Sequence, residues 1–350
     1  MTCVTASSTG IASTIVPTIN CQSWGMLHVP EAKPTLEQLK QHLRAAQSAG
    51  DPAKQGIALN NLGTHYKELR DTGKAAEHFL KALEFFSLLQ DLERKATVLN
   101  NLGGTYHEAG QYQKALEYFA LALGTYGSLD QPFGEGMAVN NLGGVHLVLK
   151  HYEDARQQFT LAVKFFHRAK ADSWEAQALE NAAAAESALG NRKAAVESYG
   201  RALELWQKLN QVERQAMILN RIATLHFAEG DSKRAIDVYR QALALAQRTS
   251  SPSLLANIHA GIGRVYFEMR NWAAAQAEFE EAGKISEKIG DKRGQAIALL
   301  DLGKLNLAEG KELLHSAAAL FKQIGDNTGE QEALELMENP ESKKASQKRA

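Results

Sequence analysis

The stretch Ala58-Leu59-Asn60-Asn61-Leu62-Gly63-Thr64-His65-Tyr66 returns forty residues later as Val98-Leu99-Asn100-Asn101-Leu102-Gly103-Gly104-Thr105-Tyr106. It returns once more as Ala138-Val139-Asn140-Asn141-Leu142-Gly143-Gly144-Val145-His146. Outward from Leu62-Gly63, a similar pair recurs at Leu102-Gly103, Leu142-Gly143, Ala182-Ala183, Ile222-Ala223, Ile262-Gly263 and Leu302-Gly303, always 40 apart. Four residues after the first member stand Tyr66, Tyr106, His146, Glu186, His226, Tyr266 and Asn306. An alanine column runs through Ala75, Ala115, Ala155, Ala195, Ala235 and Ala275, and an aromatic column through Phe79, Phe119, Phe159, Tyr199, Tyr239 and Phe279. A second alanine column begins at Ala82. Pro52, Pro132 and Pro252 keep the same period, and proline suits the first position of a helix. Self-similarity at a fixed period is the mark of stacked repeats.

The spacing predicts two helices per repeat. Leu62, Gly63, Tyr66 and Leu69 share one face of a first helix; Ala75, Phe79 and Ala82 share one face of a second. Small residues let the two backbones approach, and the aromatic fills the space beside them. Gly110, Gly190, Gly230 and Gly310 fall between helices, where a left-handed stop is expected. Asp51, before Pro52, reads as an N-cap. Helices are expected at about 35–49, then 52–69 and 72–89, 92–109 and 112–129, and so on. The second helix of the seventh repeat is short, and a polar helix at about 328–338 caps the stack.

These columns resemble the tetratricopeptide repeat, and the resemblance covers about residues 35–338. Forty-residue repeats with an Asn-Leu-Gly signature resemble those of LGN/Pins-type polarity adaptors. The Ala-x-Asn-Asn-Leu-Gly flavour is similar to kinesin light chains. The resemblance implies an all-α fold, an α-solenoid of stacked antiparallel helix pairs coiled into a right-handed superhelix with a concave groove. Three segments follow: a disordered lead (1–34), the solenoid (35–338) and a basic disordered tail (339–350).

Composition narrows the function classes. The chain has 350 residues, 39 basic and 40 acidic, so the large positive excess of a nucleic-acid binder is absent. Two cysteines exclude a disulfide framework or a four-cysteine metal site. Residues 1–30 hold no Asp, Glu, Lys or Arg, but many Ser and Thr, which fits neither a membrane span nor a secretory signal. The expected location is the cytoplasm, with organelle targeting through this segment as the alternative. No metalloprotease, phosphate-loop or calcium-loop motif occurs. His146 and His226 read as packing residues in the Tyr66 column, and His146 and His151, five apart, are poorly spaced for one helix face. No catalytic, cofactor or metal residue is expected, and the chain does not read as an enzyme.

What remains is the first-helix face that the core does not use: Ile57, Asn60, Asn61, Thr64 and Glu68 in the first repeat. Asn60, Asn100, Asn140 and Asn220 occupy one column; Asn61, Asn101, Asn141 and Asn181 the next. Asparagine is a poor mid-helix residue, so its recurrence wants a reason. A carboxamide can pair with both the C=O and the N–H of an extended peptide. Four or five such bonds at ~1 kcal/mol each, plus side-chain pockets, would give roughly micromolar affinity. The alternative is that the asparagines bond to the neighbouring repeat. Further along, Arg221, Arg264 and Lys304 with Phe227 and Phe267 offer a basic and aromatic surface. The expectation is a protein–protein interaction adaptor that holds an extended or partly helical partner segment in the groove. A structural or assembly factor acting through its convex face or ends is the alternative. Positions equivalent to Thr64 read Gly104, Gly144, Ala184 and Thr224, so the chaperone-type carboxylate clamp is missing and heat-shock C-terminal peptides are not expected.

Overall fold

A computed structural model describes residues 34–305 and 310–338. The lead up to residue 33, Asn306 and the tail 339–350 lie outside the described residues. The described residues form helices and no strand. Helix α1 (Leu36–Ser48) precedes the repeats. Seven helix pairs follow: α2 (Pro52–Glu68) and α3 (Thr72–Leu88), α4 (Leu92–Glu108) and α5 (Tyr112–Ser128), α6 (Pro132–Val148) and α7 (Tyr152–Arg168), α8 (Asp172–Ala188) and α9 (Arg192–Lys208), α10 (Val212–Ala228) and α11 (Ser232–Ala246), α12 (Pro252–Glu268) and α13 (Trp272–Lys288), α14 (Lys292–Leu305) and α15 (Lys311–Gln323). Helix α16 (Asn327–Glu338) closes the described chain.

The period of 40 is two identical steps of 20. Most helices are 17 residues long, as α2 and α3 are, and three residues turn the chain. At the end of α3 the Gln90 amide bonds the Ser87 carbonyl at 3.2 Å, and the Asp91 amide bonds the Phe86 carbonyl at 2.9 Å. This is the Schellman pattern, and it puts Gln90 in the left-handed region at φ 54°. Gly110, Gly190 and Gly230 fill the same place, as expected. Gly310 does not: it is the N-cap of the short α15, at φ −74°. A side chain in the left-handed region costs roughly 1–2 kcal/mol, partly offset by its smaller unfolded-state entropy. Gln90→Gly is therefore expected to raise stability by about 0.5–1 kcal/mol; a lower urea midpoint would contradict this account of the turn.

The starts of helices follow the sequence too. Asp51, Asp71, Asp91 and Asp231 accept the amide of the third helical residue, and Pro52, Pro132 and Pro252 stand at the first helical position.

The helices group into two compact units that part inside α9, between Ser198 and Tyr199. In the first, each helix from α1 to α7 packs on the next, and the first helices α2, α4 and α6 also touch in succession. Its core alternates rings and small residues: Phe79, Phe86, Phe119, Phe159 and Phe166 are buried against Ala75, Ala82, Ala115, Ala122 and Ala155. A methyl added at Gly63, Gly103 or Gly143 would lie 2.7, 2.5 or 2.8 Å from the ring of Phe79, Phe119 or Phe159. In the second unit α10 to α16 pack in order around Ile218, Tyr239, Ile258, Val265 and Phe279, then around Leu314 and Phe321. Of the aromatic residues that recur near the end of the second helix, Phe86, Tyr126, Phe166 and Trp206 are core, while Phe85 and Phe165 are half-buried. Leu69 differs from expectation. It is 62% exposed, because it is the C-cap of α2, where the helix face has already ended.

Candidate functional site

The asparagines sit mid-helix on α2, α4, α6 and α8, and the structure couples them between repeats. The Asn101 Nδ2 donates to the Asn60 Oδ1 at 3.1 Å, Asn141 to Asn100 at 3.0 Å, and Asn181 to Asn140 at 3.0 Å. The second asparagine of each repeat thus reaches back to the first asparagine of the repeat before. Asn100, Asn101, Asn140, Asn141 and Asn181 are buried; Asn60 is half-buried and Asn61 exposed. In repeats two and three this face is therefore less open than in the first. Each successive first helix covers the one before, which reading helix by helix does not reveal.

Coupling leaves hydrogen-bonding capacity. A carboxamide has one acceptor and two donors, and each couple uses one of each. The carbonyl of the downstream asparagine and an N–H of the upstream one remain, and among the described residues no asparagine side-chain atom is both buried and unpartnered. Beside Asn60 lies a pocket of about 200 Å³ lined by Ile57, Asn60, Phe86, Arg94, Thr97 and Val98. Its walls are Ile57, Phe86 and Val98; its polar groups are Asn60, Thr97 and Arg94, whose guanidinium also engages Asp91. No sequence signal marked this pocket, since its lining comes from three helices.

In the second unit Asn220 and Arg221 are half-buried on α10, and the Thr224 hydroxyl donates to the Asn220 carbonyl at 2.9 Å. Arg264 on α12 and Lys304 on α14 converge on buried Asp301. Arg264 approaches it at 2.9 Å and Lys304 at 3.5 Å, while Lys304 also meets Glu332 at 3.1 Å. The charge of Asp301 holds the Arg264 guanidinium above its usual pKa. The basic surface expected here carries its own counter-charge. Phe227 packs against the core of this unit, and Phe267 meets half-exposed Trp272 edge-on at 5.2 Å.

The columns, the helix pairs and these couples define a helical-repeat protein. The chain belongs to the tetratricopeptide-repeat family, whose model matches residues 54–128, 174–248 and 214–288. No curated protein matches it in sequence. Among solved structures it is similar to BtubC from P. vanneervenii, at 19% identity and TM-score 0.51 over 73% of this chain and 93% of that one. Aspartyl phosphate phosphatase F from Bacillus subtilis is similar at 18% identity and TM-score 0.58, over 83% and 75%. A Rap protein complexed with competence and sporulation factor is similar at 18% identity and TM-score 0.50, over 90% and 82%. At these identities the likeness is one of fold. No helix among the described residues is long and apolar enough to cross a membrane.

Proposed function

We propose that the chain is a non-catalytic interaction scaffold in the cytoplasm that binds an extended segment of a partner protein along its first-helix face. The observation that carries the reading is the apolar pocket beside Asn60, next to exposed Ile57 and Asn61. One apolar partner side chain fills the pocket. The partner's backbone takes the amide groups that the Asn60–Asn101 and Asn100–Asn141 couples leave over, and Asn140 and Asn181 continue the row; Asn220 offers a further carboxamide in the second unit. In the second unit, Arg221, Arg264 and Lys304 offer charge to acidic side chains of a partner, Arg264 and Lys304 sharing Asp301 as counter-ion. Ordering the segment costs affinity, which the pocket must recover. The complex of the Rap protein with its factor accords with this reading and contributes the fold alone.

The test is capture of partners from cell extract by three full-length proteins: the natural chain, Ile57→Asp/Asn61→Asp, and Leu121→Asp. Ile57 and Asn61 are exposed beside the pocket, and Leu121 is 57% exposed on the second helix α5. The expected result is at least tenfold less captured partner with the double variant, an unchanged melt, and full capture with Leu121→Asp. Loss with Leu121→Asp alone would move the function to the second-helix side and favour the assembly-factor reading.

A further inference from the structure

The turn between the helices of a repeat carries a three-residue clasp whose chemistry changes along the first unit. In repeat one the positions are Tyr66, Asp71 and Lys74, and the Lys74 ammonium lies 5.3 Å from the centre of the Tyr66 ring. In repeat two they are Tyr106, Gln111 and Lys114, with the ammonium 5.1 Å from the ring. In repeat four Asn191 donates to Glu186 at 2.9 Å, and the third position is Ala194. In repeat three all three residues are of metal-ligating type, His146, His151 and Asp154, and the cation of the first two repeats is gone.

His146 and His151 do not share a helix face. His146 lies in the last turn of α6, and His151 is the N-cap of α7. The chain reversal brings them together: the His151 amide donates to the His146 carbonyl at 2.9 Å, and Lys150 between them is left-handed at φ 61°. The ring centres are 6.0 Å apart, and one ligand atom from each of His146, His151 and Asp154 lies within 4.8 Å of the others. The His146 Nδ1 is buried without a hydrogen-bond partner, and the Asp154 Oδ2 stands 3.9 Å from it. A buried ring nitrogen without a partner is costly. Among the described residues this is the one such group of three.

We propose that His146, His151 and Asp154 form a binding site for a borderline divalent cation of the Zn²⁺ class. Two imidazoles and one carboxylate suit Zn²⁺ over Mg²⁺ or Ca²⁺, which prefer all-oxygen shells. Metal–ligand distances near 2.0–2.2 Å put ligand atoms roughly 3.4 Å apart in a tetrahedral site. His151 and Asp154 are exposed and can rotate inward by that amount, while the Schellman turn holds the backbone between His146 and His151. Three ligands from the chain leave the fourth place to water or to a partner's side chain.

The test is calorimetric titration of the tag-free full chain with ZnCl₂ at neutral pH, with Co²⁺ absorption as a second readout. The expected result is one equivalent bound with micromolar affinity and visible d–d bands from four-coordinate Co²⁺. His151→Ala is expected to weaken binding at least tenfold. His146→Tyr/His151→Gln/Asp154→Lys, which recreates the clasp of repeat two, is expected to abolish it with unchanged helicity. Natural-chain affinity weaker than millimolar overturns the proposal. So does undiminished affinity in the triple variant, since the chain has 11 histidines and others would then be responsible. Should the triple variant lose helicity, His151→Ala and Asp154→Ala, both at exposed positions, decide the question.

Discussion

Asn141→Ala is expected to destabilise the first unit by about 1–2 kcal/mol, although alanine is the better helix former. Two effects compete. Replacing a mid-helix asparagine by alanine contributes roughly 0.6 kcal/mol in helix propensity. Removing the Asn141 amide strands the Asn100 Oδ1, which it meets at 3.0 Å, and both residues are buried. A stranded buried acceptor costs about 1–3 kcal/mol, so the loss outweighs the propensity. Asn61→Ala provides the comparison, because Asn61 is exposed and reaches back to no earlier asparagine. There only propensity acts, and stability should rise by up to about 0.6 kcal/mol. In Asn100→Ala/Asn141→Ala no group is stranded, so the double variant should cost less than the sum of its single changes. Repeat arrays need not unfold in one step, so the readout is amide exchange on α4 and α6 alongside the urea midpoint. Equal stability of Asn141→Ala and Asn61→Ala would mean that the couples do not join the repeats. The same variants bear on function. A chain whose couple is broken but whose partners remain bound assigns the asparagines to repeat stacking, and leaves ligand contact to the pocket near Asn60.

Reading by columns reached those aspects of the molecule that depend on spacing within a helix. Leu62, Gly63 and Ala75 were placed on packing faces by i, i+3 and i+4 neighbours alone, and they are buried. The reading weakened where a helix stops. Spacing places Leu69 on the packing face, yet it is exposed, because a C-cap no longer obeys helical periodicity. Spacing puts His146 and His151 too far out of phase for one helix face, yet a left-handed residue between them returns the chain onto itself. Contacts between repeats are legible only in part: recurrence offers asparagine bonding to the next repeat as one of two readings, and marks nothing of Asp301 with Arg264. Asn141 meets Asn100 across 41 residues, and Asp301 meets Arg264 across 37. A column reveals that asparagine recurs. Only the stacking of one first helix on the next decides which column faces which.

Gly103→Ala and Gly124→Ala are expected to act in opposite directions, though both replace a mid-helix glycine by alanine. At Gly124 on α5 the new methyl meets nothing within 4 Å. Only backbone entropy and propensity act there, and stability should rise by up to about 1 kcal/mol. At Gly103 the methyl would lie 2.5, 2.6 and 2.8 Å from three atoms of the Phe119 ring. That ring is fully buried, so it cannot swing into solvent. Either the ring leaves its rotamer or α4 moves off α5. Overpacking of this kind costs about 1–3 kcal/mol and here stands at the upper end, against a propensity contribution near 1. A net loss of about 2 kcal/mol follows. Phe119→Leu in the Gly103→Ala background frees the space and should recover part of that loss. Phe119→Ala alone should cost about 3–5 kcal/mol, because it leaves a cavity lined by Ala115, Leu142 and Val145. Thermal or urea unfolding of the four variants distinguishes the cases. If Gly103→Ala stabilises as Gly124→Ala does, the close approach of α4 and α5 is not what Gly103 provides. The recurrence of glycine at Gly63, Gly103, Gly143 and Gly263 would then need another cause. If the signs differ as expected, the missing side chain at Gly103 is what lets α4 and α5 approach across the Phe119 ring.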